Sequence, residues 1–276
     1  VHGLAGDIRE SNTYYEDPHD CVGQFDYVMA NPPFNVDKVV KAEVEDDPRF
    51  PFGIPTRDNA NYLWIQLFYS ALNKTGRAGF VMANSASDAR GSELEIRKQL
   101  VQTGSVDCIV AVGTNMFFTV TLPVTLWFLD KGKTTEDDWA DWTLFIDARE
   151  IYTQVDRAHR EWTPAQIEFL VNIQRLYWQW EPTLEYDGTK ELLDEHFPDG
   201  TYTDVLGLCR YVHIDEIEEQ GWSLNPGRYV GVKFETMDEG VFQERITELT
   251  TEFNELSAQA SELTGTIENF LRQIHE

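Results

Sequence analysis

Asn31-Pro32-Pro33-Phe34 is the stretch of this sequence whose residue types, in this order, best suit a particular chemistry. It follows an apolar run, Phe25-Asp26-Tyr27-Val28-Met29-Ala30. A run of that length is a candidate buried strand. Two prolines end the strand and fix the backbone of the loop that leaves it. The expectation is a rigid loop at a strand's C-terminal edge, where open α/β sheets bind ligands. The loop carries the Asn31 amide, the Pro32 carbonyl and the Phe34 ring, a set suited to gripping a flat, amino-bearing heterocycle. An exocyclic amine such as that of adenine is a weak nucleophile because its lone pair is delocalised into the ring. Two acceptors aimed at its two hydrogens, the Asn31 oxygen and the Pro32 carbonyl, would draw the nitrogen toward tetrahedral geometry. Phe34 would stack on the ring face, as aromatics do with extruded bases. With a methyl donor in line, catalysis would be positioning and stabilisation of charge developing on nitrogen. No metal, general base or covalent nucleophile is required. The bland alternative is a proline-rich turn with Phe34 packed into the core.

The elements that would position this loop alternate. Residues 4–8 run from apolar to acidic and precede a polar loop to about Gln24, and residues 41–60 read as a charged surface loop. Asn61 to Asn73 has the spacing of an amphipathic helix. Gly79–Ala83 is a candidate strand, Ser92–Gln102 a helix, Val106–Val112 a strand, Thr119–Leu129 a longer strand and Trp142–Ile146 another. Strands alternating with helices predict an α/β layered sheet. From about residue 150 the pattern changes. Residues 156–200 read as helical, with a start at Thr163-Pro164 and an aromatic cluster at Tyr177, Trp178 and Trp180 that reads as core. Residues 222–232 form a turn-rich connector. Phe242, Ile246, Leu249, Phe253, Leu256, Ala260, Leu263, Ile267, Phe270 and Ile274 then alternate by four and three. That is a heptad seam about 48 Å long at 1.5 Å per residue. The period of 3.5 favours a coiled coil over a helix packed on its own domain. The expected division is 1–150, 151–236 and 237–276.

Composition narrows the partners. The chain has 276 residues, 42% apolar and 13% aromatic, enough for a sizeable core. No run of 18 or more apolar residues is present, so no membrane span is expected. Cys21, Cys108 and Cys209 are far apart and lack metal spacing, which fits a reducing cytoplasm. The six histidines are scattered without metal spacing. Net charge is −26, from 48 acidic and 22 basic residues, of which 8 are Lys and 14 Arg. This opposes simple nucleic-acid binding, which needs cations against phosphate. Either a basic partner carries most of the nucleic-acid contact, or the surface is adapted to salt.

In this order the pieces resemble the modification (M) subunit of type I restriction–modification systems, N6-adenine DNA methyltransferases that use S-adenosylmethionine. Phe25 to Asn35 looks like the family's catalytic loop, which implies catalytic roles for Asn31, Pro32, Pro33 and Phe34. Gly6-Asp7-Ile8 stands where the family has the acid that contacts the cofactor's adenine, so the resemblance assigns Asp7 to S-adenosylmethionine. Asn61-Tyr62-Leu63-Trp64-Ile65 resembles the helix after the catalytic loop, and Gly76 to Val81 the next strand's entry. Asn115-Met116-Phe117-Phe118-Thr119 and Leu122 to Leu129 resemble the lining of the target-base pocket, with one of Phe117 and Phe118 stacking on the base. Pro226-Gly227-Arg228-Tyr229-Val230-Gly231 resembles the motif before the C-terminal helix. The implied fold is a partial Rossmann-like methyltransferase sheet, then a helical region and a coiled-coil tail. The implied partners are DNA, a DNA-recognition (S) subunit, a restriction (R) subunit and a second M subunit, and base flipping is implied.

One departure matters. The family's glycine-rich cofactor loop, an Asp-Pro-x-x-Gly-x-Gly-like sequence ahead of Asp7, is not present. The resemblance is therefore to the C-terminal half of such a subunit, without its N-terminal helical domain. This chain alone is expected to bind S-adenosylmethionine weakly or not at all, a point that titration calorimetry tests. Two other readings remain open: a docking module without catalysis, and a methyltransferase acting on RNA or a protein amide. Cys21, Cys108 and Cys209 lack the Pro-Cys context of cytosine C5 methylation.

Overall fold

The computed structural model describes residues 3, 5–56, 59–117, 121–134, 139–156, 159–232 and scattered positions between 246 and 261. In chain order the elements are β1 (Phe25–Ala30), α1 (Asn61–Ala71), β2 (Leu72–Ala83), α2 (Ser92–Gln102), β3 (Val106–Val112), β4 (Val124–Asp130) and β5 (Trp142–Asp147). They continue with the short pair β6 (Thr153–Gln154) and β7 (Arg160–Glu161), then α3 (Pro164–Tyr177), α4 (Thr189–His196), β8 (Cys209–His213) and α5 (Ile214–Glu219). Among the described residues the main sheet has six strands in the order β1-β2-β4-β3-β5-β8. It is mixed: β1 with β2 and β3 with β5 are parallel, while β4 is antiparallel to both its neighbours and β8 is antiparallel to β5.

Alternation along the strands explains the layers. Ile109, Trp127, Phe145 and Val212 face one apolar cluster, shared with Tyr62, Ile65 and Phe68 of α1, Ile96 and Leu100 of α2, and Ile217 of α5. Their neighbours Cys108, Val110, Leu144, Ile146 and Cys209 face the other, with Phe169, Leu170, Ile173 and Leu176 of α3 and Leu193 of α4. A sheet covered on both faces reads as nearly continuous apolar strands, and β3 is buried at every position. Helix α3 starts where Thr163-Pro164 suggests. The Thr163 hydroxyl accepts from the Gln166 N–H, and the Gln166 side chain accepts from the Thr163 N–H, a reciprocal cap.

Several boundaries differ from the sequence reading. Helix α1 stops at Ala71 and β2 starts at once, so the strand runs from Leu72 rather than Gly79. Its first half, Asn-Lys-Thr-Gly-Arg, has little strand propensity; pairing at its two ends, Leu72 with Phe25 and Arg77 with Tyr27 and Asp130, holds it extended. Strand β4 begins at Val124, after Pro123, and not at Thr119; a proline cannot donate to the ladder. Residues 159–200 hold two helices, α3 and α4, joined by a stretch of turns and coil, and 209–213 add a strand to the sheet. Residues 151–232 thus share one compact unit, Val1–Val232, with the strands before them. Of the aromatic cluster, Tyr177 is core, Trp178 packs against it, and Trp180 is half exposed beneath the Arg175 guanidinium.

Strand β1 is the largest departure. It was expected to be buried, yet Tyr27 is 74% and Met29 90% exposed. It pairs with β2 alone among the described residues, and nothing described covers that side of it. In the second unit, Lys233–Glu276, the described positions between 246 and 261 are helical. Ile246, Leu249, Phe253 and Leu256 of the heptad seam are exposed there, and Phe242, Leu263, Ile267, Phe270 and Ile274 lie outside the described residues. No described helix is long and apolar enough to cross a membrane.

Candidate active site

Register fixes which loops share an edge. Ala30 of β1 pairs with Phe80 of β2, and Ala83 of β2 pairs with Val124 of β4. Val124 also pairs with Val112 of β3, and Ala111 with Asp147 of β5. The C-terminal ends of β1, β2, β3 and β5 therefore meet at one edge. The Asn31–Phe34 loop leaves it, as do the 3-10 turn Asn84–Asp88 and the residues after Val112, Phe117 among them.

Within the loop, Asn31 and Pro33 are exposed, Pro32 is buried and Phe34 is half-buried. Phe117 is half-buried too. Neither ring belongs to an apolar core cluster among the described residues, which weighs against inward packing. Phe118 lies outside the described residues. Asp7 is exposed, with its carboxylate against Arg9 at 2.9 Å and His19 at 3.4 Å. Those contacts stay in its own loop and do not tie it to Asn31–Phe34.

The loop's downstream end is held by Asn35 and Asn61, both within stretches the sequence pattern singled out, and by Asn59, which it did not. Asn35 has φ 53°, in the left-handed region that asparagine tolerates better than most residues. Its N–H donates to Asn61 Oδ1 at 2.9 Å, and its Oδ1 accepts from Asn61 Nδ2 and Asn59 Nδ2, each at 3.0 Å. Asn59 Oδ1 in turn accepts the Asn61 N–H at 2.9 Å, and the Ala60 N–H donates to the Val36 carbonyl at 2.9 Å. Asn61 is the first residue of α1 and is buried.

A second brace joins the turn after β2 to the segment around Pro226–Arg228. Asp88 accepts from the Ser223 hydroxyl at 2.6 Å and Asn225 Nδ2 at 3.0 Å, and lies 3.2 Å from the Arg228 guanidinium. Burial alone would raise its carboxyl, but those two hydrogen bonds and the Arg228 charge hold it below the ordinary carboxylate value. Tyr229 stacks on Phe145 at 4.2 Å and donates to the Ser223 carbonyl. Buried Arg97 of α2 donates to the carbonyls of Trp222, Ala86 and Ala89 and to the Tyr62 hydroxyl. Burial pushes the Tyr62 phenol up to about 12, so it stays neutral as donor to the Ala86 carbonyl. Asp147 pairs with Arg149 as Asp88 does with Arg228. Asp88 and Asp147 are thus each paired with an arginine, which matters in a chain of net charge −26. An acidic cleft of about 730 Å³ near Asp17, Glu43 and Asp46 is poorly suited to phosphate.

An Asn-Pro-Pro-Phe loop at the C-terminal edge of an α/β sheet is the geometry expected of a base methyltransferase, and a family comparison decides the relationship. The model of N-6 DNA methylases matches residues 1–238.

The chain belongs to the N-6 DNA methylase family.

Within that family it is 35% identical to the Type I restriction enzyme MjaIX methylase subunit of Methanocaldococcus jannaschii, over 98% of this chain and 46% of the relative. It is 31% identical to the HindI methylase subunit of Haemophilus influenzae, over 98% of this chain and 56% of that one. This family member therefore spans about half the length of these relatives. Among solved structures, it superposes with a TM-score of 0.64 on a type I restriction-modification methyltransferase subunit from Streptococcus thermophilus, at 24% identity, over 81% of this chain and 42% of that chain. The EcoKI M protein matches with a TM-score of 0.55 at 18% identity, over 94% of this chain and 54% of that chain. At such identities the two structures speak for the fold. It is a mixed α/β sheet like those of methyltransferase subunits.

Proposed function

We propose that this chain carries the base-gripping half of an adenine N6 methyltransferase site, in the modification subunit of a type I restriction–modification complex. The observation that carries the reading is the Asn31–Phe34 loop at the C-terminal edge of the parallel strands, in a chain of the N-6 DNA methylase family. The target adenine leaves the duplex because its amino group is out of reach while stacked. Phe34 holds the ring, and Phe117, at the same edge and equally outside the core, is the candidate for a second face. Asn31 Oδ1 and the Pro32 carbonyl accept the two amino hydrogens and stabilise the positive charge that develops as nitrogen is alkylated.

The methyl donor of this reading is S-adenosylmethionine. The residues described here do not amount to a cradle for it. Asp7 is the one candidate contact, its carboxylate is engaged by Arg9 and His19, and the sequence has no glycine-rich loop. The bare side of β1, with Tyr27 and Met29, suits the seat of the rest of such a cradle in a subunit as long as the relatives. The exposed seam Ile246, Leu249, Phe253 and Leu256 suits helix-to-helix docking with an S subunit or a second M subunit. DNA and an R subunit complete the proposed assembly. The three-part division at residues 150 and 236 is retained only for the last boundary, where the tail serves assembly.

The deciding experiment is transfer of labelled methyl from S-adenosylmethionine to duplex DNA by a subunit of the relatives' length with its S partner. N6-methyladenine is the expected product, and Asn31→Ala is expected to lose about 100-fold or more in kcat. Methyl appearing in RNA or a protein amide instead, or an unimpaired Asn31→Ala enzyme, overturns the reading.

A further inference from the structure

We infer that Asn35, Asn59 and Asn61 form an amide clamp that positions the Asn31–Phe34 loop for methyl transfer, with Asn61 as its keystone. The inference rests on the function proposed above and assigns positioning residues to it.

The clamp closes on itself. Asn61 commits both polar atoms of its side chain to Asn35: Oδ1 to the backbone N–H and Nδ2 to the side-chain oxygen. The backbone N–H can only donate, so it fixes which end of the Asn61 amide faces it. That in turn makes Asn35 Oδ1 the acceptor for Asn61 and for Asn59. Asn59 Oδ1 then takes the Asn61 N–H. Ala60, at the N-cap position of α1, makes no side-chain cap. Two of the three amides are therefore used across the chain on Asn35, with a single bond left for the helix end.

Such a device holds the loop rather than the core. Upstream, the loop is fixed by β1 through the Ala30–Phe80 pairing. Downstream, it is fixed at Asn35 by the clamp and at Val36 by the Ala60 N–H. Between these anchors lie four residues, two of them prolines with φ already set. A segment so short and stiff has few conformations, so the Asn31 and Pro32 acceptors are preorganised. Releasing the downstream anchor leaves Asn31 and Phe34 in place chemically but lets their positions drift. A drift of about 1 Å costs on the order of 100-fold in rate.

The test separates anchor from strain. Asn35→Gly keeps the left-handed backbone and the N–H bond to Asn61 but removes the acceptor for Asn59 and Asn61. Asn35→Asp keeps the acceptor and tolerates the same backbone. In the assembled, DNA-methylating subunit, Asn35→Gly is expected to lower kcat about 10–100-fold with KM for DNA within about twofold. Asn35→Asp is expected to recover most of that loss. A 2-aminopurine at the target position should report base extrusion unchanged in both. Equal activity of Asn35→Gly and wild type, or a loss that Asn35→Asp fails to recover, overturns the clamp. A second readout needs no activity. In this chain, Asn61→Ala should speed hydrogen exchange of the Asn35 amide at least about tenfold; unchanged exchange overturns the clamp even if methylation is normal. A wild-type assembly that methylates no DNA defeats the proposed function instead, and that measurement is made first.

Discussion

Asn31 and Phe34 divide the work at the scale of single residues. Asn31 is exposed and, in the proposed function, would act electrostatically, so its removal should fall on kcat. Phe34 would contribute stacking, worth about 1–3 kcal/mol per base. Phe34→Ala should therefore weaken capture of the extruded base by about 10–100-fold, and Phe34→Tyr or Phe34→Trp should restore it. Fluorescence of 2-aminopurine at the target position checks this. Unchanged extrusion in Phe34→Ala, together with a fall in melting temperature, would return Phe34 to a packing role. Among buried residues, Arg97 gathers four acceptors around one guanidinium. Arg97→Met keeps much of the volume but strips the donor from the Trp222 and Ala89 carbonyls, while Ala86 keeps the Tyr62 hydroxyl, and should cost about 3 kcal/mol in denaturant unfolding.

At the scale of elements, the site is an edge held together by two braces. One is the asparagine clamp between the loop and α1. The other is Asp88, which ties the turn after β2 to Ser223, Asn225 and Arg228. The Asp88 carboxyl is held below its unfolded value, so its contribution to stability is complete above that value. It is lost as pH falls through the folded one, below about pH 4. Asp88→Asn should lower stability at neutral pH by about 1–2 kcal/mol and flatten the acid limb of the stability profile. Urea unfolding of both proteins from pH 3 to pH 7 checks this; parallel profiles would show that the brace carries no titrating charge. The Pro226–Arg228 turn that the sequence pattern singled out acts here through Arg228 and the stacked Tyr229, as a latch on the sheet edge.

For the whole molecule, the exposed surfaces are as informative as the core. The compact unit Val1–Val232 has a bare strand at one edge, and the unit Lys233–Glu276 shows an apolar seam. Phe253→Asp with Leu256→Asp should abolish association through the tail, measured by sedimentation. It should leave the unfolding transition of residues 1–232 within about 0.5 kcal/mol, as surface changes do. Sedimentation unchanged by the double substitution would remove the docking role of the seam.

What the sequence determined by itself was local. The Asn-Pro-Pro-Phe order names its chemistry because proline dihedrals and amide acceptors are properties of the residues. Helix α2 and strand β3 were legible to the residue because their apolar periods are strong and their ends are marked by Gly91 and Gly104. The start of α3 was legible in Thr163-Pro164. The rest depended on contacts between distant segments. The early half of β2 is a strand only because its ends, Leu72 and Arg77, are paired by neighbours, and β8 only because β5 offers an edge more than sixty residues upstream. Asn59 and Asn61 look like ordinary polar residues before a helix, and Asp88 like one acid among 48. Their roles come from partners 24 to 140 residues away in the chain. A hydrogen bond's partner is chosen by folding, so the tertiary structure alone decided what holds the Asn31–Phe34 loop still.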